Sequence, residues 1–276
     1  MSDDRPVDEL IRLGLDDRGV ATITIDRPEA KNALTQPMRD HLGDLFEQLS
    51  TDLRVRVVVL RGTGDSFCAG ADLRSAGERP PRPDGAPSPA AGEIARMIQE
   101  GWQRLVTTIQ DCNKPVIGQV NGVAAGGGFQ LAVACDLVLA AESARFVQAF
   151  VHRGIVPDAG AAYLVTRIVG PQQAKELFFL GEKVAATDAH RIGLVNRVVP
   201  DDELDKAVDE LAGRLAVLPT TSIATSKRLI NKAYESDRAT ALWDEAIGQE
   251  VLMQTHDAKE GVAAFRERRD PDFKGY

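Results

Sequence analysis

Cysteine is scarce in this chain of 276 residues: Cys68, Cys112 and Cys135 are the only three, and no C-x-x-C pair occurs. An odd, scattered set gives neither a disulfide framework nor a zinc site, and it fits a reducing cytosol. Positive charge is in deficit, with 33 Lys and Arg against 41 Asp and Glu for a formal net charge of -8. A nucleic-acid partner would need a basic face to neutralise phosphates, so the composition argues against that class. No apolar run approaches the length of a membrane span, and Met1 to Arg5 lacks the basic-then-apolar pattern of a secretion signal. Three common signatures are missing as well: the G-x-x-x-x-G-K-S/T phosphate loop, the G-x-S-x-G nucleophile elbow and the H-E-x-x-H metal helix. A cytoplasmic protein with no membrane segment, no metal and no nucleic acid is expected.

What remains is an ordinary globular composition, 43% hydrophobic and 27% charged, long enough for one large domain or two small ones. Ala21, Ile23 and Ile25 alternate with Thr22 and Thr24, a period-two strand signal over Val20 to Asp26. Thr35 can cap a helix starting near Pro37, with Leu42, Leu45, Phe46 and Leu49 as its apolar stripe. Val55–Leu60, Pro115–Val120 and Leu137–Ala140 are too continuously apolar to have a wet face, and so predict strands covered on both sides. A helix is predicted from about Glu93 to Gln110, after a proline-rich loop over Glu78 to Pro89. Beyond Ala159 the pattern turns helical, with one short strand at Leu194–Val199. Trp243, Ile247, Val251 and Leu252 share one side of a late helix, most simply a core stripe and secondly a subunit interface. The whole reads as an α/β body followed by a mainly helical tail.

Chemistry concentrates in two clusters. Asn121 to Gln130 carries Gly126-Gly127-Gly128 at the mouth of an apolar segment, where no Cβ keeps backbone N–H groups from a ligand. Taken alone, it reads equally as a tight packing turn. Ser66 to Leu73, with Ala69-Gly70-Ala71, is a second stretch of small residues at a strand end. On neighbouring strands, two such clusters would aim two N–H groups at one oxygen.

Together with Arg27 to Leu34, Asn121 to Asp136 and Glu260 to Arg269, these motifs make the chain resemble the enoyl-CoA hydratase/isomerase (crotonase) superfamily over nearly its whole length. The resemblance implies a ββα spiral core over residues 1–200. It implies a helical region over 201–276 that serves trimerisation, or a dimer of trimers, and the acyl-CoA pocket. It further implies that the N–H groups of Ala71 and Gly127 form an oxyanion hole for a thioester carbonyl. Ala30, Lys31 and Ala69 would lie along coenzyme A, which is part of the substrate and not a separate cofactor. Asp72, Leu73, Gly126, Gln130, Phe150 and Pro157 complete the implied substrate contacts.

The chain departs from the family's hydratases where they carry two glutamates: the corresponding positions are Gln130 and Phe150, and neither can exchange a proton. Asp158, in Gly154-Ile155-Val156-Pro157-Asp158-Ala159-Gly160, offers one carboxylate instead and resembles the isomerase branch. One carboxylate suffices to move a double bond through an enolate. Asp158 also stands where an aspartate favours a helix N-cap. An enoyl-CoA hydratase with atypical residues, a dehalogenase-like enzyme with an aspartate nucleophile, a silent acyl-CoA binder and an RNA-binding member of the superfamily are the alternatives. Cys68 and Cys135 read as small core residues, His152 as packed or superficial. Arg266, Arg268, Arg269 and Lys274 suit either CoA phosphates or a solvated helix end.

Overall fold

The computed structural model describes residues 5–74 and 82–276, so Glu78 to Pro81 of the expected loop lie outside the described residues. A short helix α1 (Val7–Leu10) leads into an antiparallel pair, β1 (Ile11–Leu15) and β2 (Val20–Ile25). The alternation in β2 behaves as predicted: Ala21, Ile23 and Ile25 are buried, and Thr22 and Thr24 are partly exposed. Thr35 caps α2 (Gln36–Thr51) by accepting from the Met38 N–H at 3.4 Å, and the predicted stripe is buried.

The next strands are β3 (Val57–Gly62) and the three-residue β4 (Ser66–Cys68). The helix predicted over 93–110 is a broken path: α3 (Glu93–Ile98), a π-helical segment (Gln99–Gln103), then α4 (Arg104–Asp111). Then come β5 (Val116–Val120), β6 (Val123–Ala125), α5 (Gly127–Ala134), β7 (Leu137–Ala141) and β8 (Arg145–Val147). After α6 (Ala161–Val169) and α7 (Pro171–Leu180) follow β9 (Lys183–Ala185), α8 (Ala186–Arg191), β10 (Arg197–Val199) and α9 (Leu204–Ala216). The chain closes with α10 (Thr220–Ala233), α11 (Arg238–Leu252) and α12 (His256–Glu267).

Two sheets result, one in the order β1-β2-β3-β5-β7-β10 and a smaller one in the order β4-β6-β8-β9. The apolar strands of the larger sheet are covered on both faces, as their lack of polar residues predicts. Val58, Leu60, Val116, Val138 and Ala140 join the main core beneath α2, α4 and α5. The alternate residues Val57, Val59, Ile117 and Leu139 pack against Leu204, Val208, Ala212 and Ala216 of α9. The first helix beyond residue 200 therefore belongs, by its packing, to the sheet.

Only α10 to α12 leave it. Among their residues just Thr220, Lys227, Asp257 and Ala264 are buried, and α11 buries none. This corrects the core reading of the late stripe: Trp243 is 66% exposed, and Ile247 and Val251 are exposed beside it. A buried ammonium holds α10 to the body. Lys227 Nζ donates to the Ile109 and Lys114 carbonyls at 3.0 and 3.4 Å and to Asp136 Oδ2 at 2.8 Å. At the far end, the buried Asp257 carboxylate accepts the N–H groups of Lys274 and Gly275, each at 2.7 Å.

Losing either member of the Lys227–Asp136 pair should loosen this attachment unequally. Asp136→Ala strands a buried ammonium and should cost about 3 kcal/mol, whereas Lys227→Met leaves a part-exposed carboxylate and should cost about 1 kcal/mol. Chemical denaturation of the two variants checks the order.

Candidate active site

Both glycine-rich clusters sit at the carboxyl ends of strands in the small sheet. β4 and β6 pair in parallel, with Cys68 opposite Ala124. Ala71 and Gly127 each lie three residues beyond that register pair, so the chain delivers them side by side. The contact is close: a Cβ added to Gly70 would fall 3.0 Å from the Gly127 nitrogen. The expectation of two small-residue clusters on neighbouring strands is met, although by the short strand β4 and not by the strand ending near Leu60.

Among the described residues, neither N–H is spent on the surrounding main chain. Ala71 bridges Leu34 in parallel fashion, so the bonds run through its neighbours: Leu34 N–H to Gly70 O at 2.8 Å and Asp72 N–H to Leu34 O at 2.9 Å. That pairing turns the N–H of Ala71 to the opposite side. Gly127 is the first residue of α5, where an N–H has no intrahelical acceptor and the helix dipole is positive. Two such donors side by side have the arrangement that the expected oxyanion hole requires.

The three glycines serve different ends. Gly126 has φ +52° and ψ -121°, which a side chain would strain. At Gly127 a Cβ would meet the Trp102 ring at 2.5 Å, and at Gly128 it would overlap the Cys68 carbonyl. The packing-turn reading is thus correct, and it is compatible with the anion-hole reading, because close packing is what brings the donors together. The π-helical segment carries Trp102, which is 9% exposed, over Gly127. Sequence reasoning missed this tryptophan, since helical spacing does not announce a π segment.

Asp158 belongs to a segment that packs on α4. Gly160 lies against Val106 of α4, four residues beyond Trp102 of the π-helical segment, with 3.5 Å between a Cβ placed on the glycine and the valine methyl. The structure removes the helix-cap reading. The N-cap position of α6 is Gly160, no side chain caps that helix, and the Ala161 N–H binds the main-chain oxygen of Asp158 at 3.0 Å. The carboxylate is therefore free for other work. Burial pushes it above the usual carboxylate range, with a hydrogen bond from its own N–H pulling the other way.

The two positions that carry glutamate in hydratases are closed. Gln130 is fully buried and donates to Gln148 Oε1 at 3.1 Å, while Phe150 is 6% exposed and stands beside Gly126. Asp72, expected beside the substrate, instead has its carboxylate in a buried pair with Arg27 at 2.7 Å. Lys31 and Leu73 are exposed, and Ala30, Ala69 and Pro157 are partly so. His152 faces the Gly181 carbonyl at 3.1 Å, and burial pushes the Cys68 thiol up to about 12. Arg269 is held by Glu260 and Glu267, which favours the solvated helix end for the basic tail.

A cavity of about 1090 Å³ lies elsewhere, between α4, α6 and α10 around Asp136, Tyr163 and Lys227, and none of Ala71, Gly127 or Asp158 lines it. Among the described residues, no group of three or more His, Cys, Asp or Glu is arranged to hold a metal, and no helix is long and apolar enough to cross a membrane.

Residues 16–276 match the enoyl-CoA hydratase/isomerase family. A 1,2-epoxyphenylacetyl-CoA isomerase of Escherichia coli is 36% identical over 94% of this chain and 96% of its own. A crotonyl-CoA hydratase of Syntrophomonas wolfei is 35% identical over 92% of this chain and 94% of its own. The crystal structure of an enoyl-CoA hydratase from Bacillus anthracis superposes with a TM-score of 0.86 at 30% identity, covering 97% of this chain and all of that one. The chain belongs to the enoyl-CoA hydratase/isomerase family of acyl-CoA-processing enzymes.

Proposed function

We propose that this enzyme shifts a double bond in an enoyl-CoA thioester, with Asp158 as the single base. Asp158 would take a proton from C2 of a 3-enoyl thioester, and the C2–H electrons would form a dienolate whose oxygen rests on the Ala71 and Gly127 N–H groups. Return of the same proton to C4 leaves the 2-enoyl thioester. Atoms and charge balance without any cofactor beyond the coenzyme A of the substrate. The observation that carries the reading is the uncapped, half-buried Asp158 carboxylate in a site whose two glutamate positions are Gln130 and Phe150. In this reading Ala30, Lys31 and Ala69 flank coenzyme A. Three free, buried thiols support a cytoplasmic location.

Offered a 3-enoyl-CoA, a 2-enoyl-CoA and an aromatic-ring-derived CoA ester, the protein should move the double bond and leave the 2-enoyl-CoA unhydrated. Asp158→Asn should lower kcat at least about a hundredfold. Migration that survives this substitution, or hydration by the parent, would overturn the mechanism.

The acid limb of kcat/KM should lie at higher pH than an exposed aspartate would give, because the base must be ionised and burial raises its pKa. The stability consequence runs the other way. With the folded pKa above the unfolded one, Asp158 favours folding at low pH, and that contribution is lost as pH rises through the folded pKa. Asp158→Asn should therefore raise Tm at pH 7 while it abolishes turnover, and thermal scans of both proteins check this.

We further propose a homotrimer, or a dimer of trimers, in which the exposed Trp243, Ile247 and Val251 on one face of α11 meet a neighbouring copy. Light scattering should give about three times the chain's 29.8 kDa, or six times, and Trp243→Glu should shift it toward the monomer.

A further inference from the structure

Arg27 and Asp72 are both buried at the base of the oxyanion hole, and neither takes part in the chemistry above. Arg27 Nη1 donates to Asp72 Oδ2 at 2.7 Å and to the Ala33 carbonyl at 3.1 Å. The other carboxylate oxygen of Asp72 accepts the Arg74 N–H at 3.0 Å. Around this pair, two segments distant in sequence are stitched together. Ala69 N–H binds Lys31 O at 3.0 Å, Leu34 holds the peptides on either side of Ala71, and Asn32 Nδ2 binds Ser66 O at 2.6 Å.

The stitched segment is strained. Lys31 and Asn32 are consecutive non-glycine residues at φ +52° and +56°, a conformation that persists only where the surroundings over-determine it. With both neighbours of Ala71 fixed, the direction of its N–H is set by the same bonds that hold Lys31.

Charge gives a second reason for the pair. Asp72 is the residue next to the oxyanion donor, and an unpaired carboxylate there would repel an enolate in a poorly screened site. The buried Arg27 offsets that charge from within the protein, and the exposed Arg74, whose Nε donates to Asp72 Oδ1 at 3.2 Å, adds to it from the surface.

We infer that the Arg27–Asp72 ion pair is a positioning device for the enolate, aiming the Ala71 N–H, neutralising the carboxylate beside it and locking the donor to the Lys31 segment. This rests on the oxyanion hole of the proposed function. The pair touches no reacting atom and acts through Ala71.

A cinnamoyl-CoA whose absorption moves to the red when its thioester carbonyl is polarised reads the hole directly, without any proton transfer. The wild type should show the shift on binding. Arg27→Met and Asp72→Asn should lose at least half of it, with kcat on a 3-enoyl-CoA down about tenfold or more and KM within about threefold. Arg27→Lys, which restores the charge, should recover part of both. Should Arg27→Met fail to fold, Asp72→Asn and Arg27→Lys carry the same comparison. A wild-type shift that persists undiminished in the folded variants overturns the role of the pair alone. A wild type that binds the ester with no shift overturns the oxyanion hole, and the pair's role with it. Loss of Tm with shift and kcat intact marks a merely structural pair, which also overturns the inference.

Discussion

The parallel pairing of β4 with β6 is the contact on which the site depends. It lasts only a few residues, yet its register decides that two backbone N–H groups emerge level with each other. Backbone donors cannot be re-aimed by changing a side chain, so their direction must come from the packing around them. Gly70 against the Gly127 nitrogen, Trp102 over Gly127 and Gly128 against the Cys68 carbonyl are that packing. The dipole of α5 adds to it without any charged residue in the hole.

Around this rigid centre the ionisable groups are divided by task. Burial alone would raise the Asp72 carboxyl, but its bonds from Arg27 and from Arg74 hold it down at about 2, so that it stays ionised. Asp158, with no cation partnered to it among the described residues and no helix to cap, is pushed the other way by burial. One carboxylate is paired and held low, the other is unpaired and pushed up as the proposed base requires, and environment alone separates them.

Much of this was legible in the sequence. Apolar runs such as Val55–Leu60 and the Thr35-capped helix follow from period and cap chemistry, and the two small-residue clusters pointed to the paired donors. The second sheet was not legible, because strands of three residues such as Ser66–Cys68 carry no usable period. Nor was the π-helical segment at Gln99–Gln103, which shifts Trp102 off the helical spacing that a sequence reading assumes. The stripe at Trp243 misled for another reason: an apolar helix face looks the same whether its own chain or another copy covers it. Nor was the Arg27–Asp72 pairing legible, because a buried ion pair across 45 residues leaves no local mark.

The two donors stand more than fifty residues apart in the chain, on strands that meet only after α3, α4 and β5 are in place. Nothing local forms the hole in advance, since each donor alone is an ordinary peptide at a strand end. Refolding therefore separates two clocks. Helices reappear early from local contacts, whereas polarising power returns only when the long loop between the strands has closed. Recovery of thioester binding after dilution from denaturant is thus a timer for a non-local closure of this fold.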